Sequence, residues 1–429
     1  MGEFKRQLLI EKLIKKGGFN PKTFYSNYSE NADELTLKPE FISLSAADIV
    51  DTVKSKISLV SGEFVRSGTS DVQSAFDNLE SLLDSTAETP EVGPSLQGDY
   101  FNAILGGAIT SRLCIRSASS GLGKTRTSVG DACLLAFPLH YDWKLKRWIE
   151  DGRSEKVCLI ITEQSVEEVQ MMMLAYLSGV NEAAIKRNTW SNEQKRIVYQ
   201  ALKVVETFKD NLTIIRVPNP SISLLDSVIR EQVILKKIKY VFYDYVFVSP
   251  SLLGEFRGQN LRNDEILLMF SDALKKLAVD LDIFIMTSTQ VNAKADDNKD
   301  VRNEATLAGS RAIINKADFG CVMARPTKEE LVAIAESCSV AKADWESKYI
   351  EPFQMPNCVT DIYKNRGGAD TQMRIWSYLD LGTMKRYDYF VTNGRGIGVD
   401  PTDCPKYKIP IDEEDLKKLE LCEKELNNQ

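Results

Sequence analysis

Apolar residues recur along this chain with two periods. Over residues 4–15, Phe4, Leu8, Leu9, Ile10, Leu13 and Ile14 alternate with charged positions at helical spacing, and Gly17-Gly18 stops the helix. Within 45–64, Ile49, Val53, Ile57, Val60 and Phe64 recur every three or four residues behind Ser45, an N-cap with Asp48 three residues on. A third helical run is expected over 71–84. The stretch from Ser85 to Pro94 reads as a linker, with Pro90, Gly93 and Pro94 breaking any helix. Residues 1–92 are therefore expected to form a small helical region tethered to a main domain.

From residue 93 the pattern changes. A short helix from Asp99 ends at Gly106-Gly107, and the apolar run Arg112-Leu113-Cys114-Ile115 follows as a buried strand. Continuous apolar runs at 155–162, 212–217, 240–248 and 283–290 read as further strands, buried on both faces as parallel strands are. Helical patterns lie between them, through 171–174, 224–237 and 263–281. Strands at 319–323, 359–364 and 373–378 complete the set, the last of them with no helix between, which suggests an antiparallel edge. Strands alternating with helices imply an α/β domain with a largely parallel sheet. Residues 412–426 read as a charged helix or tail, within a C-terminal segment at 401–429.

One stretch carries specific chemistry. Between the strand at 112–115 and a helix through 128–137 lies Arg116-Ser117-Ala118-Ser119-Ser120-Gly121-Leu122-Gly123-Lys124-Thr125. Ala118 to Thr125 has the spacing of a phosphate-binding loop, with alanine in place of the first glycine, and strand, loop, helix is the context such a loop needs. Gly121 and Gly123 let backbone N–H groups turn inward around phosphate oxygens. The helix start adds its positive dipole end. Lys124 places a charge on the β- and γ-phosphates, and the Thr125 hydroxyl suits Mg²⁺. Ser119, Ser120, Gly121, Leu122, Gly123, Lys124, Thr125 and Arg126 are thus candidate nucleotide contacts, with ATP and Mg²⁺ as the expected ligands.

Composition narrows the setting. A net charge of −7 argues against a protein that coats nucleic acid with a generally basic surface, although a local basic channel is compatible with it. The N-terminus is charged and lacks an apolar signal core, and no stretch is apolar enough to span a bilayer, so a cytoplasmic protein is expected. Eight scattered cysteines without a CxxC pair read as reduced thiols, and the single histidine, His140, disfavours a His-based metal or triad site.

Three more side chains sit where the parallel strands should end. Asp244, in the apolar run at 240–248, is placed for the Mg²⁺-side carboxylate, the alternative being a turn cap. Glu163 follows the strand at 155–162, where a carboxylate can deprotonate the attacking water; an N-cap glutamate is the alternative. Gln290 ends the strand at 283–290, where an amide can sense the γ-phosphate or remain a buried strand-end amide.

The order of these motifs resembles the RecA-like motor domain of DnaB-type hexameric replicative helicases. The resemblance rests on Leu105-Gly106-Gly107, the phosphate loop, Ile161-Thr162-Glu163-Gln164-Ser165, Tyr243-Asp244-Tyr245, Thr287-Ser288-Thr289-Gln290, Gly309-Ser310-Arg311 and Tyr363-Lys364-Asn365-Arg366-Gly367-Gly368, spanning about 93–390. It implies a RecA-like P-loop NTPase core over 93–400. Glu163 would be the catalytic base, Lys124 and Thr125 would hold phosphates and Mg²⁺ with Asp244, and Gln290 would couple nucleotide state to DNA loops. Lys364 and Arg366 would reach into a neighbour's ATP site, Arg366 as an arginine finger. The implied partners are single-stranded DNA, further copies in a hexameric ring, and a helicase loader or primase.

Departures from the family are also visible. Leu307-Ala308-Gly309-Ser310 stands where an Arg-Glu-Ser-Gly DNA-contact loop is usual, and its arginine is missing. Backbone N–H groups there can still hold phosphates, so Gly309, Ser310 and Arg311 are kept as candidate DNA contacts, with Arg257 and Arg262 as compensating cations. Residues 327–356 look like a helical insertion, and 46–64 could serve as a linker helix. The resemblance leads to an ATP-driven, ring-forming helicase or translocase. The rival is a RecA-like ATPase that does not unwind DNA, such as a recombination mediator, a switch or a defence-system motor. A scaffold with a vestigial site fits poorly with Lys124, Glu163, Asp244 and Arg366 all present.

Overall fold

The computed structural model describes residues 10, 24–26, 37–38, 92–290, 315–349, 351–367, 373–393, 398–399 and 413–427. The chain divides into two compact units, Met1–Leu79 and Glu80–Gln429. In the first, Ile10 is helical and buried, Phe24 is buried, and Tyr25 pairs with Leu37 in an antiparallel bridge. The helices expected at 45–64 and 71–84, and most of that at 4–15, lie outside the described residues.

The second unit is α/β, as the alternation of periods implies. Its order is α1 (Asp99–Leu105), β1 (Leu113–Ala118), α2 (Lys124–Ala136), β2 (Leu139–Asp142), β3 (Arg147–Glu150), β4 (Val157–Ile161), α3 (Val166–Ser178), α4 (Glu182–Arg187), α5 (Asn192–Thr207), β5 (Leu212–Arg216), α6 (Ile222–Lys236), β6 (Tyr240–Asp244), α7 (Pro250–Glu255), α8 (Asn263–Asp280), β7 (Phe284–Thr287), β8 (Phe319–Ala324), α9 (Lys328–Ala333), α10 (Ala335–Lys348), β9 (Cys358–Asn365), β10 (Met373–Asp380), β11 (Lys385–Asn393), β12 (Gly398–Val399) and α11 (Glu413–Asn427). Ten strands form one sheet in the order β12-β11-β10-β9-β8-β1-β7-β6-β4-β5. The strands from β5 to β8 in that row are parallel, and β8 to β12 pair antiparallel.

Alternation along each parallel strand feeds two cores. Cys114, Leu159, Ile161, Phe242 and Met286 face one side, where they pack with Val129 of α2, Val169 of α3 and Ile197 of α5. Ile115, Cys158, Ile160, Val241, Tyr243 and Ile285 face the other, against Leu225 and Ile229 of α6 and Ile266, Phe270 and Leu274 of α8. With both faces covered, every residue of β1, β4, β6 and β7 is buried, which is why their sequences are mainly apolar, with polar residues confined to the ends nearest the site.

The structure corrects several boundaries. β1 continues to Ala118 although Arg116 is charged, because that guanidinium is buried on Asp131 of α2 at 2.6 Å. β6 stops at Asp244 rather than Val248, where pairing with β4 and β7 runs out and the chain turns toward α7. A hairpin, β2–β3, intervenes between α2 and β4. It is anchored by buried Trp148, whose indole N–H donates to Gln200 of α5 at 3.1 Å. The insertion is helical over α9 and α10, and Trp345 packs edge-on against Tyr387 and Tyr389 of β11. The residues at 413–427 form a helix whose Leu419, Cys422 and Leu426 join the main core. All seven described cysteines are buried and unpaired.

This topology sorts the chemistry by edge. The chain leaves β1, β4, β6, β7 and β8 at the same edge of the sheet. Because β9 runs against β8, with Asn365 opposite Phe319, Lys364 and Arg366 fall at the other edge.

Candidate active site

The loop between β1 and α2 is shaped by two glycines. Gly121 and Gly123 have φ of 76° and 99°, a region other residues enter at a cost, and Gly123 is the N-cap residue of α2. A Cβ at Gly123 would also lie 2.3 Å from Leu381 Cδ2 of the β10–β11 turn. Between them Leu122 is buried with Ala118, Met323, Cys358 and Leu379, which pins the loop to the sheet. Ser120 and Gly121 are exposed at its tip and Ser119 is buried.

Lys124 folds back over this loop, its Nζ donating to the Ala118 carbonyl at 2.9 Å. Burial pushes its pKa below the ordinary lysine value, while Asp244 and Glu163 pull it back up. The next residue, Thr125, donates its hydroxyl to Asp244 Oδ2, and Ser288 donates to Asp244 Oδ1 at 2.7 Å. The Asp244 main-chain carbonyl accepts from both the N–H and the hydroxyl of Thr162, at 3.0 and 3.1 Å. Asp244 is 2% exposed, and its bond to Tyr245 is a cis peptide. A threonine hydroxyl against a buried carboxylate is a hard-oxygen donor pair. It fits Mg²⁺ shared with substrate phosphates rather than an all-protein cage. Among the described residues, no group of three or more His, Cys, Asp or Glu is poised to hold a metal.

Glu163 lies two residues beyond β4 and is exposed. It is not the cap of α3: Ser165 and Glu168 fill that role in a capping box. Instead Glu163 Oε1 accepts from the Tyr245 hydroxyl at 2.9 Å, and that hydroxyl accepts from Gln290 Nε2 at 3.3 Å. Burial first, then the bond to Glu163, push the Tyr245 phenol up to about 12. Its ring centroid is 5.8 Å from Lys124 Nζ. Gln290 is exposed rather than buried, and bridges to Ala118 through the backbone beside β7. Gln164 Nε2 reaches Thr125 Oγ1 at 3.4 Å. One edge of the sheet thus gathers a lysine, a hydroxyl–carboxylate pair, an exposed carboxylate and an amide around one glycine-turned loop. That set can bind a phosphate chain and activate water beside it.

Other expected residues stand elsewhere. Arg126 is engaged with Glu182 at 2.6 Å and with the Leu381 carbonyl at 2.6 Å, so its guanidinium ties α2 to α4 and the β10–β11 turn. Lys364 Nζ donates to the Asn315 carbonyl at 3.0 Å, and Arg366 pairs loosely with Asp318 at 3.5 Å, both at the opposite edge. Arg257 is exposed after α7. Arg262 opens α8 and spends its charge on Asp264 at 2.9 Å. Gly309, Ser310 and Arg311 lie outside the described residues.

Ser288, Gln164, Tyr245 and Arg325 also stand at the site, although the sequence alone assigns them no role. Tyr245 was hidden inside an apolar run. Arg325, the first residue after β8, donates to the Gly121 carbonyl at 3.3 Å. Arg325 follows β8 as Glu163 and Gln290 follow their strands, so the same strand-end position in the sequence marks it.

Comparison with known proteins gives a consistent picture. The family model described as "DnaB-like helicase C terminal domain" matches residues 97–378. The SPbeta prophage-derived uncharacterized protein YorI of Bacillus subtilis (strain 168) is 32% identical over 383 residues, covering 88% of this chain and 74% of its own. A solved ATPase domain superposes with a TM-score of 0.54 at 16% identity, over 74% of this chain and 99% of that one. A DnaB-like replicative helicase, solved in a study of its interactions with primase, gives 0.52 at 16% identity, over 80% and 74%. At such identity the structural likeness speaks to fold alone.

Proposed function

Because this chain belongs to the DnaB-like helicase C-terminal domain family, we propose that it is an ATP-driven, ring-forming DNA helicase or translocase that hydrolyses ATP between adjacent copies. One observation supports this reading above the others. Lys124 follows the end of β1, whereas Arg366 lies beside the start of β8. Five residue steps along β8 put the two edges roughly 17 Å apart. No side chain bridges that span, so a site needing both residues takes them from two copies.

In this reading Lys124 leaves the Ala118 carbonyl for the β- and γ-phosphates, where its charge offsets theirs. Thr125 and Asp244 would hold Mg²⁺, which when bound neutralises charge on the phosphate oxygens. Glu163 takes a proton from the attacking water, its exposure giving water access. Arg366 of the neighbouring copy, exposed in this one and held by Asp318 and the Asn315 carbonyl, meets charge developing on the transferred phosphoryl group. Lys364 accompanies it, and Gln290 links the γ-phosphate to the following loop.

Single-stranded DNA would thread the ring past Arg257, Arg262 and the 309–311 loop. Residues 1–92 would supply the packing between copies, with about 46–64 as the linker helix. A hexamer acting in replication in the cytoplasm, served by a loader or primase, completes the proposal. The test is unwinding of a forked duplex measured alongside ATPase. The expected result is ATP-dependent strand separation, with DNA affinity falling steeply as salt rises. Brisk hydrolysis without unwinding or salt-sensitive DNA binding would favour a RecA-like ATPase of another kind.

A further inference from the structure

Tyr245 stands between the two residues whose communication matters most at this site, and nothing in the proposed mechanism yet uses it. Its phenol has one proton and gives it to Glu163 Oε1 at 2.9 Å. It has lone pairs to receive with, and Gln290 Nε2 donates to it at 3.3 Å. The result is a directed chain, amide to phenol to carboxylate. In such a chain each donation polarises the next, so the bond on Glu163 depends on whether Gln290 is in place. The Tyr245 ring has neighbours of its own. It lies 5.3 Å from Phe247, and Tyr243, two residues back, is buried in the core under α8. Gln290 and Glu163 are the exposed ends of this chain, whereas Asp244 beside Tyr245 is held by Ser288 and Thr162.

From this geometry we infer that Tyr245 is a positioning residue that carries the state of Gln290 to Glu163. The inference rests on the proposed role of Glu163 as the base. When DNA or the γ-phosphate draws Gln290 to a new partner, the phenol loses its donor and its hold on Glu163 changes. Hydrolysis is thereby linked to the partner that Gln290 holds, without a direct contact between Gln290 and Glu163.

The test is Tyr245→Phe in the full-length chain, which removes the hydroxyl and keeps the ring beneath Lys124. Turnover is measured with and without single-stranded DNA, together with the Kd of a fluorescent ATP analogue. The expected result is an unchanged nucleotide Kd and a DNA-stimulated kcat lowered about tenfold or more, the scale of one hydrogen bond to a charged group. Stimulation by DNA should fall toward that of Gln290→Ala. In a Glu163→Gln background, adding Tyr245→Phe should cost little further, because the two act in series. Wild-type stimulation in Tyr245→Phe overturns the inference, as does lost nucleotide binding, a full additive loss in the double variant, or a wild-type enzyme that DNA does not stimulate. Near-normal turnover in Glu163→Gln alone instead rejects the assignment of Glu163 as base, so the two failures are distinguishable.

Discussion

The Thr125 hydroxyl donates to the Asp244 carboxylate although 119 residues separate them in the chain. The contact joins the first turn of α2 to the end of β6, and only the pairing of β6 with β4 and β7 brings Asp244 there. Asp244→Asn keeps the shape and removes the charge. It is expected to lower kcat by on the order of a hundredfold or more, since a metal-bound phosphate loses several kcal/mol of charge stabilisation. ATP titrations with and without Mg²⁺ check this: the tightening of binding by Mg²⁺ should vanish in the variant. Mg²⁺-dependent binding and turnover at wild-type levels would remove Asp244 from the site.

Behind the loop, Arg116 of β1 and Asp131 of α2 form an ion pair at 2.6 Å with side chains 2% and 0% exposed. Ser128 accepts from the same guanidinium at 3.3 Å, and the Gln97 N–H donates to Asp131 at 3.0 Å. Arg116→Met leaves a buried carboxylate unpaired and is expected to cost about 3–5 kcal/mol of stability. Arg116→Met with Asp131→Leu should recover most of that loss. Urea unfolding of both variants decides it, and equal destabilisation in the two would show that packing, not charge, dominates here.

Arg116 also illustrates what a sequence can and cannot disclose. A charged residue ends a strand by any periodicity rule, and the partner that permits it is fifteen residues on in a helix. Glu163 and Gln290 could be placed at one edge because continuous apolar runs mark parallel strands and the polar residue closing each run marks its end. Lys124 follows from the loop spacing, and Asp244 lay within a longer apolar run that the structure ends at that residue. Tyr245 could not, since an aromatic in an apolar run reads as core. Nor could the β2–β3 hairpin, whose four-residue strands carry too little pattern. The opposite-edge position of Arg366 needed the antiparallel register of β9 on β8, which no local pattern encodes.

His140 offers a test of burial by pH. Burial, then the Lys385 charge, lower its pKa from 6.5 to about 3. Asp151, 3.8 Å away, is mostly exposed and too well solvated to offset this. The folded state therefore favours neutral His140, and the unfolded state takes up the proton first. The stabilising effect is complete above pH 6.5 and is lost as pH falls toward 3. Between pH 7.5 and 5 the loss should be about 2 kcal/mol. His140 is the one histidine in the chain, and comparison with a variant lacking it isolates its share of this window. Denaturant unfolding of wild type and His140→Gln should diverge in pH slope by that amount. Parallel slopes would mean that His140 is solvated in the folded state.

Hydrolysis between copies is the point on which the proposed function stands, and mixing two inactive variants tests it. Arg366→Ala should bind ATP and hydrolyse it about a thousandfold more slowly, as expected for a lost arginine finger. Lys124→Ala should fail at phosphate binding. Where an Arg366→Ala copy presents its intact loop to a Lys124→Ala neighbour, that neighbour supplies Arg366, and one complete site forms. ATPase activity measured across mixing ratios should therefore be absent at both ends and appear between them. No activity at any ratio, with mixed assemblies demonstrated by tagged copies, would contradict a site shared between subunits.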